Sequence, residues 1–333
     1  MGPTILPSSR FVRAKRYYAH FIAIFFKPLI LISVFLVLTG HSAYAQNHFS
    51  VEPFPRVVKQ GEVSLLSLSG PASVKSIYVE FQGVRFPMAI GEPNGTYRGL
   101  MGVDMDTRPA TYEIKIVAPD EGRAVYFSPL SLKVEKVNFG IQKLFLPSSM
   151  VDLDTKTLGR VNKEARLLRA LFQTFRDERL WKGAFICPVE GELTGAFGLR
   201  RMINGKHRSQ HTGIDLQAKE GTPVLACNNG MVVLVSQLFF SGKSVILDHG
   251  WGLYSMYFHL SETMVKEGDR VSKGTMVGRV GSTGRSTEPH LHWGIKMNGA
   301  RVDPLSLLDV TKTLESEKKG SFPGETFRIP INK

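Results

Sequence analysis

The sequence predicts a mostly β protein in which a helical connector joins two β domains, and three observations support this. Short β-rich segments bounded by turn residues recur on both sides of residues 138–183. Within 138–183, apolar residues instead repeat at the spacing of an α-helix. Six of the nine histidines lie between residues 207 and 292, so a functional site is expected in the second β domain.

The length and charge of the chain limit the possible functions. A chain of 333 residues can bury two hydrophobic cores. The net charge is +13, and without the five basic residues of segment 1–45 it is +8. Such a charge suits an anionic partner such as a membrane, a nucleic acid or a wall polymer, and solubility explains it equally well. The basic residues are scattered without an aromatic ladder, so no nucleic-acid partner is expected.

Residues 1–45 have the pattern of an export segment. A basic stretch ends at Arg16, an apolar run of 11 residues covers Pro28–Leu38, and Ala43-Tyr44-Ala45 matches a signal-peptidase site. The apolar run is shorter than the ~20 residues needed to span a bilayer. We expect a cleaved signal peptide and a location in the cell envelope, in the periplasm or on the extracellular face. The alternative is a retained signal anchor, the only case that implies a membrane partner.

Residues 46–137 predict a small β-sandwich. The hairpin signal Asn94-Gly95 separates two of its candidate strands. No cluster of possible ligands or nucleophiles occurs here. The domain is therefore expected to act as a spacer, as a binding module or as a domain that occludes the functional site. The candidate strands are Val63–Leu68, Ser76–Phe81, Arg85–Ile90, Tyr97–Val103, Tyr112–Val117 and Leu130–Val137.

Residues 138–183 form a connector with one amphipathic helix. Asp154 or Thr155 can cap its start. The apolar stripe is expected to pack on one of the flanking domains, and the basic outer face is expected to be solvated. The stripe consists of Leu158, Val161, Ala165, Leu168, Phe172 and Phe175.

Residues 184–310 predict an antiparallel β domain rich in turn glycines, and residues 311–333 a surface extension or partly disordered tail. Cys187 and Cys227 lack C-x-x-C spacing, which argues against a thiolate zinc site. They can pair in an oxidising compartment or remain two buried thiols. The candidate strands are Met231–Val235, Ser244–Asp248, Leu253–His259, Met276–Val280 and His290–Met297.

The histidines of this domain predict a metal site. On a strand, His290 and His292 share one face while Leu291 points into the core. His211 and Asp215 lie four residues apart, and with one histidine of the 290–292 pair they would make a three-ligand zinc site with an open position for water. Tyr257 and His259 are expected to share a strand face, with His259 as a general base or oxyanion stabiliser.

Three further polar residues have weaker interpretations. His207 is expected in a loop and His249 in a structural turn that ends a strand. Arg200 is placed at the rim of the cleft, where it would bind a substrate carboxylate, and a surface salt bridge explains it equally well.

With these motifs, the domain resembles the lysostaphin-type (LytM-like) zinc metalloendopeptidases over about residues 188–308. The resemblance implies a fold of the duplicated hybrid motif type with one Zn²⁺ per catalytic domain, and peptidoglycan peptides as substrate. It also implies that His211, Asp215 and His292 bind the metal and that His259 and His290 are the catalytic pair. The matching segments are His211–Asp215, Gly221–Val224, Tyr257–Leu260, Gly281–Thr287 and Pro289–Trp293.

The sequence departs from the family pattern at two places. Glu288 stands where the family usually has glycine, and Trp293-Gly294 replaces the usual aromatic-Glu pair. Neither position is an assigned ligand, so the departures concern substrate fit. The alternative function is a non-catalytic regulator that activates other wall hydrolases. Such LytM-type proteins typically lack some zinc ligands, whereas this chain lacks none.

Overall fold

A computed structural model describes residues 50–54, 57–69, 76–90, 95–120, 123–148 and 151–318. The predicted export segment and Asn94 lie outside the described residues. In the described part of the chain, no helix is both long enough and apolar enough to cross a membrane.

The N-terminal domain contains eight strands. The six predicted strands are present, and two of them, β7 and β8, start earlier than the sequence suggested. The strands are β1 (Ser50–Phe54), β2 (Val57–Lys59), β3 (Val63–Ser69), β4 (Ile77–Phe81), β5 (Val84–Ile90), β6 (Thr96–Gly102), β7 (Ala110–Asp120) and β8 (Arg123–Glu135).

These strands form one hydrogen-bonded series in the order β1-β3-β6-β5-β4-β7-β8-β2. Strand β5 changes partner along its length: its end at Ala89 and Ile90 pairs with β6, while its preceding residues pair with β4. The sheet therefore has two halves, as expected of a small sandwich. Its core includes Leu66, Val79 and Ile114, all buried.

The connector contains a strand as well as the predicted helix. Strand β9 (Ile141–Leu144) was not predicted, whereas helix α1 (Thr155–Leu171) was. Asp154 caps the helix by accepting a hydrogen bond from the Thr157 backbone nitrogen at 2.7 Å. The stripe is only partly buried: Leu168 and Phe172 pack on the C-terminal domain, while Leu158, Ala165 and Phe175 are exposed.

The C-terminal domain is mainly antiparallel, as predicted. Its central sheet has the order β10-β13-β21-β17-β16-β15-β19, and two three-stranded sheets, β12-β11-β9 and β14-β20-β18, flank it. Strand β22 pairs with β21. The strands are β10 (Glu192–Gly195), β11 (Arg200–Ile203), β12 (Lys206–Gln210), β13 (Gly213–Gln217), β14 (Pro223–Leu225), β15 (Gly230–Leu238), β16 (Gly242–Asp248), β17 (Leu253–Leu260), β18 (Glu262–Thr263), β19 (Arg270–Val271), β20 (Met276–Arg279), β21 (His290–Met297) and β22 (Ala300–Val302).

The end of this domain corrects the predicted boundary at residue 310. Helix α2 (Pro304–Lys318) runs through it, so 311–318 are not a disordered tail. Leu307 is buried, and the buried Thr311 hydroxyl accepts a hydrogen bond from the Phe185 backbone nitrogen at 3.1 Å. The helix therefore closes the domain core. Residues 319–333 lie outside the described part.

Polar contacts join the two β domains. Arg301, on β22, forms ion pairs with Asp104 at 2.6 Å and Asp106 at 2.7 Å in the N-terminal domain. The Asp303 backbone nitrogen donates to the Gly61 carbonyl at 2.7 Å. Both cysteines are free thiols, Cys187 half-buried and Cys227 buried.

Candidate metal centre and its cleft

Two neighbouring strands bring the predicted metal ligands together. Strand β13 pairs with β21 so that Asp215 lies opposite His292. Opposite residues of an antiparallel pair project from the same face, so both side chains point to one side of the sheet. His211 precedes β13 in the chain, and its backbone nitrogen bonds to the Leu199 carbonyl at 2.9 Å, which holds it beside them.

Three ligand atoms converge within the cluster. His211 Nε2 lies 2.9 Å from Asp215 Oδ1, His292 Nδ1 lies 2.8 Å from the same oxygen, and the two nitrogens are 2.9 Å apart. His211 Nδ1 lies 2.8 Å from the Ala196 carbonyl, which can only accept, so Nδ1 carries the proton and Nε2 offers its lone pair. Electron-rich atoms this close repel one another unless a proton or a cation lies among them. The donor set of two imidazoles and one carboxylate therefore fits a zinc ion.

The electrostatics of the cluster favour the protonation states that bind metals. Burial by itself would raise the pKa of Asp215, but the ring nitrogens of His211 and His292 beside its Oδ1 hold this pKa well below its usual range. Burial lowers the pKa of His292 to about 4. At neutral pH, Asp215 is thus a carboxylate and His292 a neutral imidazole, as metal coordination requires.

His259 reaches the same site through an irregular backbone. Its φ is +63°, and the pairing of β16 with β17 shifts register between Lys243 and Val245, opposite this part of β17. Tyr257 and His259 consequently do not share a face, contrary to the prediction. The Tyr257 hydroxyl is buried and accepts from the Cys227 backbone nitrogen at 2.9 Å, whereas the His259 ring lies 4.8 Å from the ring of His290. The left-handed residue turns His259 away from the core and towards the metal ligands.

His259 and His290 are held in the same tautomer. His259 Nδ1 donates to the Thr283 carbonyl at 2.8 Å and His290 Nδ1 donates to the Glu288 carbonyl at 2.8 Å. Each ring therefore keeps Nε2 as the nitrogen available to a substrate, and His290 Nε2 lies 3.8 Å from Asp215 Oδ1. Burial lowers the pKa of His259 to about 3, so this ring is neutral at pH 7 and can accept a proton.

The arginine next to the predicted one contacts the cluster. Arg200 is exposed, whereas Arg201 donates to Asp215 Oδ2 at 2.9 Å and to Gln142 Oε1 of β9 at 3.0 Å. Successive residues of a strand face opposite sides, so only one of the pair can reach the site. The Arg200-Arg201 pair left open which arginine reaches the site. Arg201 does so, with its guanidinium held between Gln142 of the unpredicted β9 and Asp215.

The cleft beside the metal ligands is built from several parts of the chain. The β9 region supplies one wall and the loop before β21 supplies the other. The residues that line it are Gln142, Leu144, Leu146, Thr194, Arg201, Ile203, Asp215, His259, Arg285, Ser286, Thr287, Glu288 and His290.

His249 lies outside the cluster. His249 is buried and bonds to the Asn229 carbonyl at 2.6 Å and the Ser255 hydroxyl at 2.7 Å. This confirms a structural role for His249. The backbone of His207 lies on β12, opposite Met202, and not in the expected loop.

Comparison with known proteins identifies the class of the C-terminal domain. The profile of peptidase family M23 matches residues 209–304, a range that contains all three candidate metal ligands and both candidate catalytic histidines. The catalytic domain of the antimicrobial peptidase lysostaphin from Staphylococcus simulans is 34% identical, over 35% of this chain and 92% of that domain, with a TM-score of 0.32. The C-terminal domain is therefore a peptidase family M23 domain.

Two further similarities are to a solved structure and to a curated relative. A crystal structure described as a peptidase M23 from Pseudomonas aeruginosa has 28% identity and a TM-score of 0.59, and covers 75% of this chain and 95% of that chain. The peptidoglycan DD-endopeptidase ShyA of Vibrio cholerae is 31% identical over 145 residues, which are 43% of this chain and 31% of ShyA. The chain thus spans about a third of the length of this curated relative.

Proposed function

We propose that this protein is an exported zinc endopeptidase that hydrolyses peptide bonds in the cross-links or stem peptides of bacterial peptidoglycan. The observation that carries the proposal is the convergence of His211 Nε2, Asp215 Oδ1 and His292 Nδ1. His259 and His290 lie beside these atoms, each with its Nδ1 bonded to a carbonyl.

The proposed roles follow from the positions of the side chains. His211, Asp215 and His292 would hold one zinc ion, which when bound makes water more acidic and polarises the scissile carbonyl. The Nε2 atoms of His259 and His290 would take a proton from the attacking water and pass one to the leaving amine. Arg201, bonded to Asp215 Oδ2, keeps Oδ1 directed at the other two ligands.

Peptidoglycan is the proposed partner for two reasons. ShyA is named a peptidoglycan DD-endopeptidase, and the mature chain would carry a charge of +8, which suits an anionic wall. The export-like segment 1–45 would deliver the enzyme to the envelope, and a retained anchor would leave it at the membrane. The alternative, a regulator that activates other wall hydrolases, is disfavoured because the ligand set is complete.

The experiment that tests the proposal is mass spectrometry of peptides released from purified peptidoglycan by the mature protein. We expect release to stop with a chelator and to return when zinc is added back. His290→Ala serves as the matched control, because it should release no peptides while still binding zinc. A zinc-loaded wild-type protein that releases no wall peptides would support the regulator instead.

A further inference from the structure

Arg285 is a cleft residue to which the proposed mechanism gives no role. It lies in the loop between β20 and β21 and is half-buried. Its backbone nitrogen bonds to the Phe240 carbonyl at 2.8 Å, and its guanidinium lies 4.2 Å from the centre of the Phe240 ring. Stacking on an aromatic ring fixes the plane of the guanidinium while leaving its edges free to form hydrogen bonds.

The charge of Arg285 is not balanced by a nearby carboxylate. Among the residues that the structure describes, two acids line this cleft, and each has another partner. Asp215 forms an ion pair with Arg201 at 2.9 Å, and Glu288 accepts a hydrogen bond from Gln217 at 3.3 Å. No ion pair joins Arg285 to any described acid.

The surroundings of Arg285 favour an incoming anion. Burial and the nearby positive charge of Arg201 both lower the pKa of Arg285, so its guanidinium is less well stabilised here than in water. A ligand with negative charge would relieve both effects. The planar fork of a guanidinium matches the two oxygens of a carboxylate and binds them with paired hydrogen bonds.

We propose that Arg285 binds a free carboxylate of the peptide substrate, positioned within about one residue of the scissile amide. The position follows because Arg285 lines the same cleft as Asp215, His259 and His290. The proposal rests on the proposed peptidase function and adds a specificity to it. The enzyme would prefer peptides that carry an ionised carboxyl group beside the cleaved bond over the same peptides with that group amidated.

Two other arrangements compete with this one. Arg285 could serve only to hold the loop against Phe240, in which case its charge would not matter to substrate choice. Alternatively, Arg200 could bind the carboxylate, as the sequence suggested. Arg200 is exposed and does not line the cleft, whereas Arg285 does.

The test compares two synthetic stem peptides that differ only in a carboxylate or a carboxamide next to the scissile bond. We expect wild-type kcat/KM to be about 10- to 100-fold higher for the carboxylate, the range of one charge-assisted hydrogen-bond pair. Arg285→Gln should lose that preference by slowing cleavage of the carboxylate peptide alone. Arg285→Lys keeps the positive charge but lacks the paired donors of a guanidinium, so it should retain part of the preference for the carboxylate peptide.

A binding measurement separates substrate recognition from loop stability. In the His290→Ala background, isothermal titration should show weaker binding of the carboxylate peptide after Arg285→Gln and unchanged binding of the amide. Thermal melting and zinc content of each variant report whether the loop and metal site persist. Arg166→Gln, on the exposed face of α1, removes the same charge far along the chain as a control.

Distinct outcomes identify which idea fails. Equal cleavage of both peptides by wild type and Arg285→Gln would overturn the carboxylate site and leave the peptidase function intact. Loss of preference in Arg200→Gln instead of Arg285→Gln would also overturn it. Failure of wild type to cleave either peptide, or peptidoglycan itself, would contradict the proposed function.

Discussion

Buried histidines lie near both ends of strand β17, one at the start and a cluster at the other end, and only the cluster has the features of a reactive site. At one end, His249 Nε2 lies 2.7 Å from the Ser255 hydroxyl, which lies 3.0 Å from the Tyr257 hydroxyl. At the other end, His259 faces His290 and His292. Burial lowers the pKa of His249 to about 4 and that of His259 to about 3, so these two histidines are alike in burial and in the direction of the pKa shift.

The groups differ in how their polar atoms are paired. Around His249, each ring nitrogen faces an atom that can complete its hydrogen bond, namely the Asn229 carbonyl and the Ser255 hydroxyl. Around His292, three atoms with lone pairs face one another. A buried histidine with a perturbed pKa is therefore weak evidence of function by itself, and converging lone pairs next to an open cleft are stronger evidence.

The largest expected effect comes from His211→Ala, which removes one of the three candidate zinc ligands. Bound zinc should fall to about one tenth or less, and hydrolysis should disappear, because two remaining protein ligands hold the ion poorly. Metal content after dialysis measures the first effect and wall-peptide release the second. His249→Ala is the matched control, since it should keep its zinc. Normal zinc content in His211→Ala would show that His211 is not a zinc ligand.

The next prediction distinguishes the candidate metal ligands from the candidate catalytic histidines. His290→Ala should keep most of its zinc while kcat falls by about 10²- to 10⁴-fold, the usual contribution of a general acid or base. His290 Nε2 lies 3.8 Å from Asp215 Oδ1, close enough to act on groups at the metal site without coordinating the ion itself. Full activity in this variant would show that the catalytic assignment is wrong.

Replacement of His249, at the opposite end of β17, should affect the stability of the fold and not the metal site. His249→Ala leaves a cavity and removes the partners of Asn229 and Ser255, so we expect a loss of about 3 kcal/mol in the free energy of unfolding. Urea denaturation measures this loss, and the folded protein should retain its zinc. Unchanged stability would mean that the hydrogen bonds around His249 are replaced by others in the variant.

The two ends of β17 also differ in how readily the sequence reveals them. Alternation along β21 correctly placed His290 and His292 on one side and Leu291 in the core. Alternation failed for Tyr257 and His259, because the φ of +63° at His259 depends on a register shift between strands. That shift is a tertiary effect that periodicity along one strand cannot report.

Other features were missed for different reasons. The choice between Arg200 and Arg201 depends on β9, a four-residue strand that pairs in parallel with β11 and gives little local signal. Helix α2 did have a signal in the sequence: Pro304 stands at its first position, and Asp303 accepts from the Leu305 backbone nitrogen at 2.9 Å. The boundary near residue 310 could thus have been predicted correctly, whereas the Arg201 contact could not.

The pH dependence of stability should follow His249. Its folded pKa of about 4 lies below the usual value of 6.5, so the unfolded chain binds a proton first as the pH falls. The contribution is fully present above pH 6.5 and should decrease by about 2 kcal/mol by pH 5. His249→Gln removes this part of the slope and keeps the parts due to His259 and His292, so its disadvantage relative to wild type should shrink between pH 7 and pH 5. Parallel stability curves for the two proteins would contradict this.

The smallest expected effect concerns the contact that links the connector to the metal site. Arg201→Gln removes the bond to Asp215 Oδ2 and leaves Asp215 in place, so zinc should bind about tenfold more weakly, as for other residues that orient a metal ligand. Competition with a chelator of known affinity measures this change. Arg200→Gln, one residue away and exposed, should keep wild-type zinc affinity. If both variants bound zinc equally, Oδ1 of Asp215 would be oriented by its two histidine neighbours alone.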